Sequence, residues 1–85
     1  MKKTTKIRGT AVLALRETRM KLTVDQFADA LGVHKSSVYR WESQPWAAMA
    51  PRLLQLIHAI AALDDATIHR VAADVRARLG VGDAM

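Results

Sequence analysis

The chain contains no cysteine, which excludes disulfides and thiolate metal sites and leaves helix packing, association or a bound partner to stabilise it. Long apolar runs are also missing. The most apolar stretch, Leu53 to Leu63, spans 11 residues and is interrupted by Gln55 and His58, well short of the roughly 20 that a bilayer requires. The basic start is followed by Arg8, Gly9 and Thr10, with Arg16 beyond. This is not the unbroken apolar stretch of a secretory signal, so a cytoplasmic location is expected and no membrane contact. Nowhere do apolar and polar residues alternate over the length of a strand, and no internal repeat is present. Helices are therefore expected to carry the fold. At 85 residues the chain can bury one core and no second. A hydrophobic fraction of 51% with 25% charged residues of both signs is the composition of a globular domain.

Catalytic groupings are lacking too. No nucleophile stands beside an evident base and no glycine-rich phosphate loop follows a strand, so no enzyme activity and no cofactor are expected. His58 and His69 fall on different expected helices without an i+3 or i+4 partner, and no metal site is expected. Charge is what the sequence has in excess. The net +5 lies entirely in residues 1–42, with nine Lys/Arg against four Asp/Glu, while residues 43–85 hold four of each. Lys2, Lys3, Lys6, Arg8 and Arg16 precede the first acid, a pattern that reads as a basic arm (residues 1–9) able to meet a polyanion such as nucleic acid.

Punctuation divides the remainder into five helices. Val12 and Leu15 share one face of a first helix from Thr10 to Met20, with Arg16, Glu17 and Arg19 turned mostly outward. Thr23, with Gln26 three residues on, forms a capping box that opens a second helix. Gly32 can take positive φ without steric cost and ends it. A third helix runs from His34 to Ser43 and is closed by Pro45. Pro51 suits the first turn of a fourth, reaching Leu63. Asp64 and Asp65 mark a break and cap before a fifth, Ala66 to Leu79, with fraying from Gly80. The fold class is all-α, a compact five-helix domain: a DNA-binding unit at residues 10–63 followed by a C-terminal helix and tail at 64–85.

Between Val24 and Trp41 the spacing is more constrained than in a generic helical hairpin. Phe27 and Leu31 bury one face, Ala28 is small at the crossing, and Gly32 turns the chain. Val33 plugs the core, while Val38 and Trp41 form an i, i+3 stripe. This is the pattern of a helix-turn-helix. The stretch LTVDQFADALGVHKSSVYRWE, residues 22–42, resembles the lambda-repressor-like (XRE/Cro-type) helix-turn-helix family. The segment APRLLQLIHAI, residues 50–60, is similar to that family's fourth helix. The resemblance implies a bacterial or phage regulator, a repressor or autorepressor, dimeric on a pseudo-palindromic operator in double-stranded DNA. It also implies an arginine of the first helix paired with the glutamate closing the recognition helix. Direct alignment sets Glu17 opposite Glu42, and one extra residue before Leu22 brings Arg16 or Arg19 into that role. Val24 stands where the family often has a polar phosphate contact, and the loop from Ser43 to Ala50 is apolar where relatives often carry lysines and arginines.

With Val38 and Trp41 inward, a 100° step per residue puts Lys35, Ser36, Tyr39, Arg40 and Ser43 on the opposite surface. Lys35, Ser36, Tyr39 and Arg40 are the expected base readers, with Arg40 foremost because its guanidinium matches guanine O6 and N7. Lys2, Lys3, Lys6, Thr23, Gln26, His34, Ser37, Ser43 and Arg52 are expected on the DNA backbone, with His34 also the N-cap of the third helix. Ile68, Val71, Val75 and Leu79 form a stripe on the fifth helix that either folds onto the core or joins a second subunit. The homodimer contact is assigned there. The alternative function is an adaptor or antitoxin that binds a partner protein through the fourth and fifth helices.

Overall fold

The computed structural model describes residues 6–83, with side chains described for 6–78. The fold is all-α as expected, with one short ribbon added at the first described residues. Lys6–Arg8 form a short strand, β1, antiparallel to β2 (Trp46–Ala48), with Ile7 opposite Ala47 and Arg8 opposite Trp46. Ile7 is half-buried and Ala47 fully buried, while their neighbours face outward. Three residues are too few for alternation to register in the sequence, which is why this ribbon is silent there. The arm therefore ends in a strand, and Gly9 already belongs to the first helix.

That helix, α1 (Gly9–Leu13), runs into a π-helical segment at Ala14–Arg19. One residue more per turn is accommodated here, so the Met20 amide donates to Leu15 O at 2.9 Å and the Leu22 amide to Arg16 O at 2.9 Å. Lys21 closes the segment in the left-handed region at φ 55°. The Arg76 guanidinium donates to the carbonyls of Met20 (2.9 Å) and Lys21 (3.4 Å) at this end.

The next two helices follow the expected punctuation. In α2 (Val24–Leu31), Thr23 Oγ1 accepts from the Gln26 amide at 3.1 Å and Gln26 Oε1 from the Thr23 amide at 2.9 Å, while Gly32 sits at φ 73° after Leu31. In α3 (Lys35–Ser43), His34 Nδ1 accepts from the Ser36 amide at 3.1 Å. Helix α4 (Pro51–Ala61) has Pro51 in its first turn. Arg19 donates to the carbonyls of Ala61 (2.7 Å) and Leu63 (2.9 Å) at its C-terminal end and pairs with Asp65. Helix α5 (Asp65–Asp83) continues past Gly80, beyond the expected end. Asp64 caps it, accepting from the Thr67 amide at 2.7 Å.

A single core joins Val12, Leu15, Phe27, Val38, Trp41, Ile57 and Ile68. Helix α5 packs on α2 and on the π-helical segment. Ile68 is fully buried, Val75 is 9% exposed and Val71 is partly buried, all within one chain. Ile68 is therefore core, while Val71 and Val75 also line an apolar depression shared with Leu31, Leu56 and Ile60. The side chain of Leu79 lies outside the described residues.

Candidate nucleic-acid interface

Helix α3 is positioned from three sides. Val38 (0% exposed) and Trp41 (5%) anchor its inner stripe in the core. The Gly32 turn sets it against α2, and Val33, partly buried against the core, holds the connection. On the third side Gly9 fits against its C-terminal end: a Cβ there would collide with Gln44 O and lie 2.5 Å from Trp41 O. Only glycine allows α1 this close. The sequence gives no local sign of this constraint, because it depends on a contact more than thirty residues away in the chain.

An ion pair adds to these three contacts. Arg16 donates from Nε to Glu42 Oε2 at 2.6 Å, from Nη2 to Glu42 Oε1 at 3.0 Å and from Nη1 to Leu22 O at 2.9 Å. Its side chain is 10% exposed and that of Glu42 11%. The hydrogen bond and charge of Glu42 hold the guanidinium pKa above its ordinary value, against the opposing effect of burial. Arg16 thus corrects the outward placement read from helical periodicity. The π-helical turn supplies the extra residue that brings Arg16, and not Glu17, opposite Glu42.

On the outer face Lys35, Ser36, Tyr39, Arg40 and Ser43 are all exposed, and no acid lies in the first turn of α3. Tyr39, at 58%, is the most exposed large hydrophobic residue described. Several polar groups are already engaged. Ser43 Oγ donates to Arg40 O at 3.0 Å, so its hydrogen is not available to a phosphate in this geometry. Ser37 is half-buried. Thr23 and Gln26 satisfy one another's backbone amides, and Asp25 adds an acid to the first turn of α2. That end of α2 is less favourable to a phosphate than a neutral helix start.

His34 caps the helix with one ring nitrogen and exposes the other. A backbone amide can only donate, so Nδ1 is the acceptor and the ring hydrogen belongs on Nε2. The cap leaves Nε2–H as a free-standing donor at the exposed start of α3. Ser36 Oγ lies 2.9 Å from the same Nδ1; donating to it leaves the oxygen's lone pairs for an incoming amine. Lys6 and Arg52 are exposed, whereas Lys2 and Lys3 lie outside the described residues. Periodicity gave no warning of a further pair: the Arg8 guanidinium sits 4.4 Å from the centre of the Trp46 ring.

An amphipathic helix held across its predecessor by a left-handed glycine, with its outer face polar and basic, defines a helix-turn-helix DNA-binding domain. The homeodomain-like domain family matches residues 2–46, more than half of the chain, and the chain belongs to that family. The matched stretch runs from the basic arm through α3 to the start of β2 and omits α4 and α5. It supports the helix-turn-helix class read from residues 22–42, under a family heading other than the lambda-repressor-like one. No curated protein and no solved structure gives a significant match. Among the described residues no cluster of His, Asp and Glu is placed to hold a metal ion, and no helix is long and apolar enough to cross a membrane.

Proposed function

We propose that the chain is a sequence-specific regulator of transcription that binds double-stranded DNA as a homodimer on a pseudo-palindromic operator, as a lambda-repressor-like repressor or autorepressor does. The outer face of α3 carries this reading: four exposed side chains able to meet base edges on a helix whose inner stripe is locked in the core. Arg40 reads guanine through two parallel hydrogen bonds, Lys35 donates to a neighbouring base, and Tyr39 packs on a thymine methyl. His34 Nε2–H and Arg52 meet phosphates, and the arm lysines neutralise further ones. The buried Arg16–Glu42 pair and the two helices after α3 favour the lambda-repressor-like form over a bare three-helix unit.

Footprinting on the chain's own upstream region, followed by titration of Arg40→Ala, tests the assignment. The substitution should weaken specific binding by about 1–3 kcal/mol and relax preference at one base pair per half-site, with the fold intact. Equal loss on every sequence would show that Arg40 touches only the backbone.

A further inference from the structure

Between the β-ribbon and α4 lies an open cavity of about 460 Å³, within the range of roughly 300–1,000 Å³ typical of small-ligand sites. Ile7, Leu15 and Ile57 contribute its apolar floor, and Lys6, Arg8 and His58 stand among its lining residues, which among the described residues include no acid. A greasy interior with cations at its margin complements a molecule with an apolar body and one negative end. Trp46, half exposed, closes one side beneath Arg8.

One wall of this cavity is attached to the recognition helix. Strand β1 pairs Arg8 with Trp46, the Gly9 amide donates to Pro45 O at 3.2 Å, and Gly9 has no spare room against Trp41 and Gln44. The opposite wall, Ile57, His58 and Ala61, belongs to α4. Because β1 and Gly9 are close-packed on the C-terminal end of α3, an occupant that shifts this wall shifts that end with it.

We infer that this cavity is an effector site for an apolar carboxylate, whose binding displaces the end of α3; the consequence for DNA affinity rests on the DNA-binding reading above. The acid end pairs with Arg8, next to Lys6, and the hydrocarbon lies on Ile7, Leu15 and Ile57.

Titration of the full chain with decanoate, followed by two-dimensional amide NMR, tests this without DNA. Saturable one-site shifts are expected at Ile7 to Ala11 and around Ala61, and with them shifts at Trp41 to Gln44. Ala61→Leu, at an exposed helix position that narrows the cavity, should weaken decanoate at least tenfold. Arg8→Gln should weaken decanoate several-fold and leave 1-decanol unchanged. In a separate titration, saturating decanoate should change operator affinity at least fivefold in the parent and not in Ala61→Leu. The absence of saturable binding, or binding that neither variant alters, would overturn the site. Binding that appears only when residues 1–5 are removed would overturn it as well, by showing that the chain's own start fills the cavity. Local shifts that leave Trp41 to Gln44 unmoved would overturn the coupling. A parent chain that binds decanoate with these shifts but no duplex DNA would sustain the site and refute the DNA-binding reading alone.

Discussion

Arg16 is the residue whose removal from water most needs explaining. A guanidinium this buried is stable only because Glu42 takes two of its hydrogen bonds and Leu22 O a third. Truncating one partner strands the other charge, so Glu42→Ala should cost about 3–5 kcal/mol by urea denaturation. Glu42→Gln, which keeps an acceptor, should cost clearly less. Replacing both residues together with apolar ones (Arg16→Met with Glu42→Leu) should recover much of the loss. A cost below about 1 kcal/mol for Glu42→Ala would mean that the pair behaves as a surface bridge. Asp64 presents the opposite case, an exposed carboxylate with one firm backbone partner. The Thr67 side chain first, and with it the Thr67 amide, hydrogen-bond this carboxylate and hold its pKa below the ordinary 3.8. The unfolded chain binds that proton more readily than the folded one, so the cap's contribution is present above about pH 3.8 and is lost as pH falls through the folded value. Asp64→Asn should remove this part of the acid sensitivity, and an unchanged acid limb in the stability profile would show that the cap contributes nothing.

At the scale of elements, what the sequence declared was whatever a short window can encode. Thr23 with Gln26, Gly32, His34 as cap, Pro51 and Asp64 all act through neighbours within about four residues, and each closes or opens a helix where that chemistry requires. The inner stripe and the exposed outer face of α3 were legible for the same reason, since 3.6 residues per turn fixes both together. What stayed hidden depends on distant partners. The ribbon exists because Ala47 finds a covered place against Ile7, and the π-helical turn because Arg16 finds Glu42. Both are tertiary effects that override local preference. The misalignment of Glu17 with Glu42 was the one outward sign of the second, because a gapless first helix presents two acids to each other. If the π-helical segment absorbs one surplus residue, then removing the exposed Thr18 should convert Ala14–Arg19 to regular α-helix and retain the Arg16–Glu42 pair. Stability should stay within about 1 kcal/mol of the parent, the range of ordinary surface changes being about ±0.5. Deletion of Ala11 should shift Val12 out of register and lose far more. Equal damage from the two deletions, measured by thermal unfolding, would show that the extra residue is structurally required.

For the molecule as a whole, one recognition helix spans only a few base pairs, and a twofold pair about 34–36 Å apart would meet successive major grooves on one face of the duplex. A surface joining two such copies would not centre on Ile68, which is fully enclosed by its own chain. Among the described residues, of the exposed large hydrophobics Tyr39 lies on the face assigned to DNA and Trp46 lies under Arg8, which leaves Leu56 of α4, 42% exposed. Leu56 stands beside Leu31, Ile60, Val71 and Val75 at an apolar depression, and a second copy is the occupant that the proposed twofold operator binding would call for. Two substitutions separate core from interface. Val75→Asp places an unpaired carboxylate among buried groups and should unfold the domain, visible as lost helical circular dichroism. Leu56→Lys should keep the helical signal while light scattering reports a monomer and operator affinity falls. A folded Val75→Asp monomer would restore the stripe as the contact. If the parent chain is already monomeric at micromolar concentration and protects a single half-site, the dimer proposal fails, and Leu56 is an isolated exposed leucine of the kind any small domain carries.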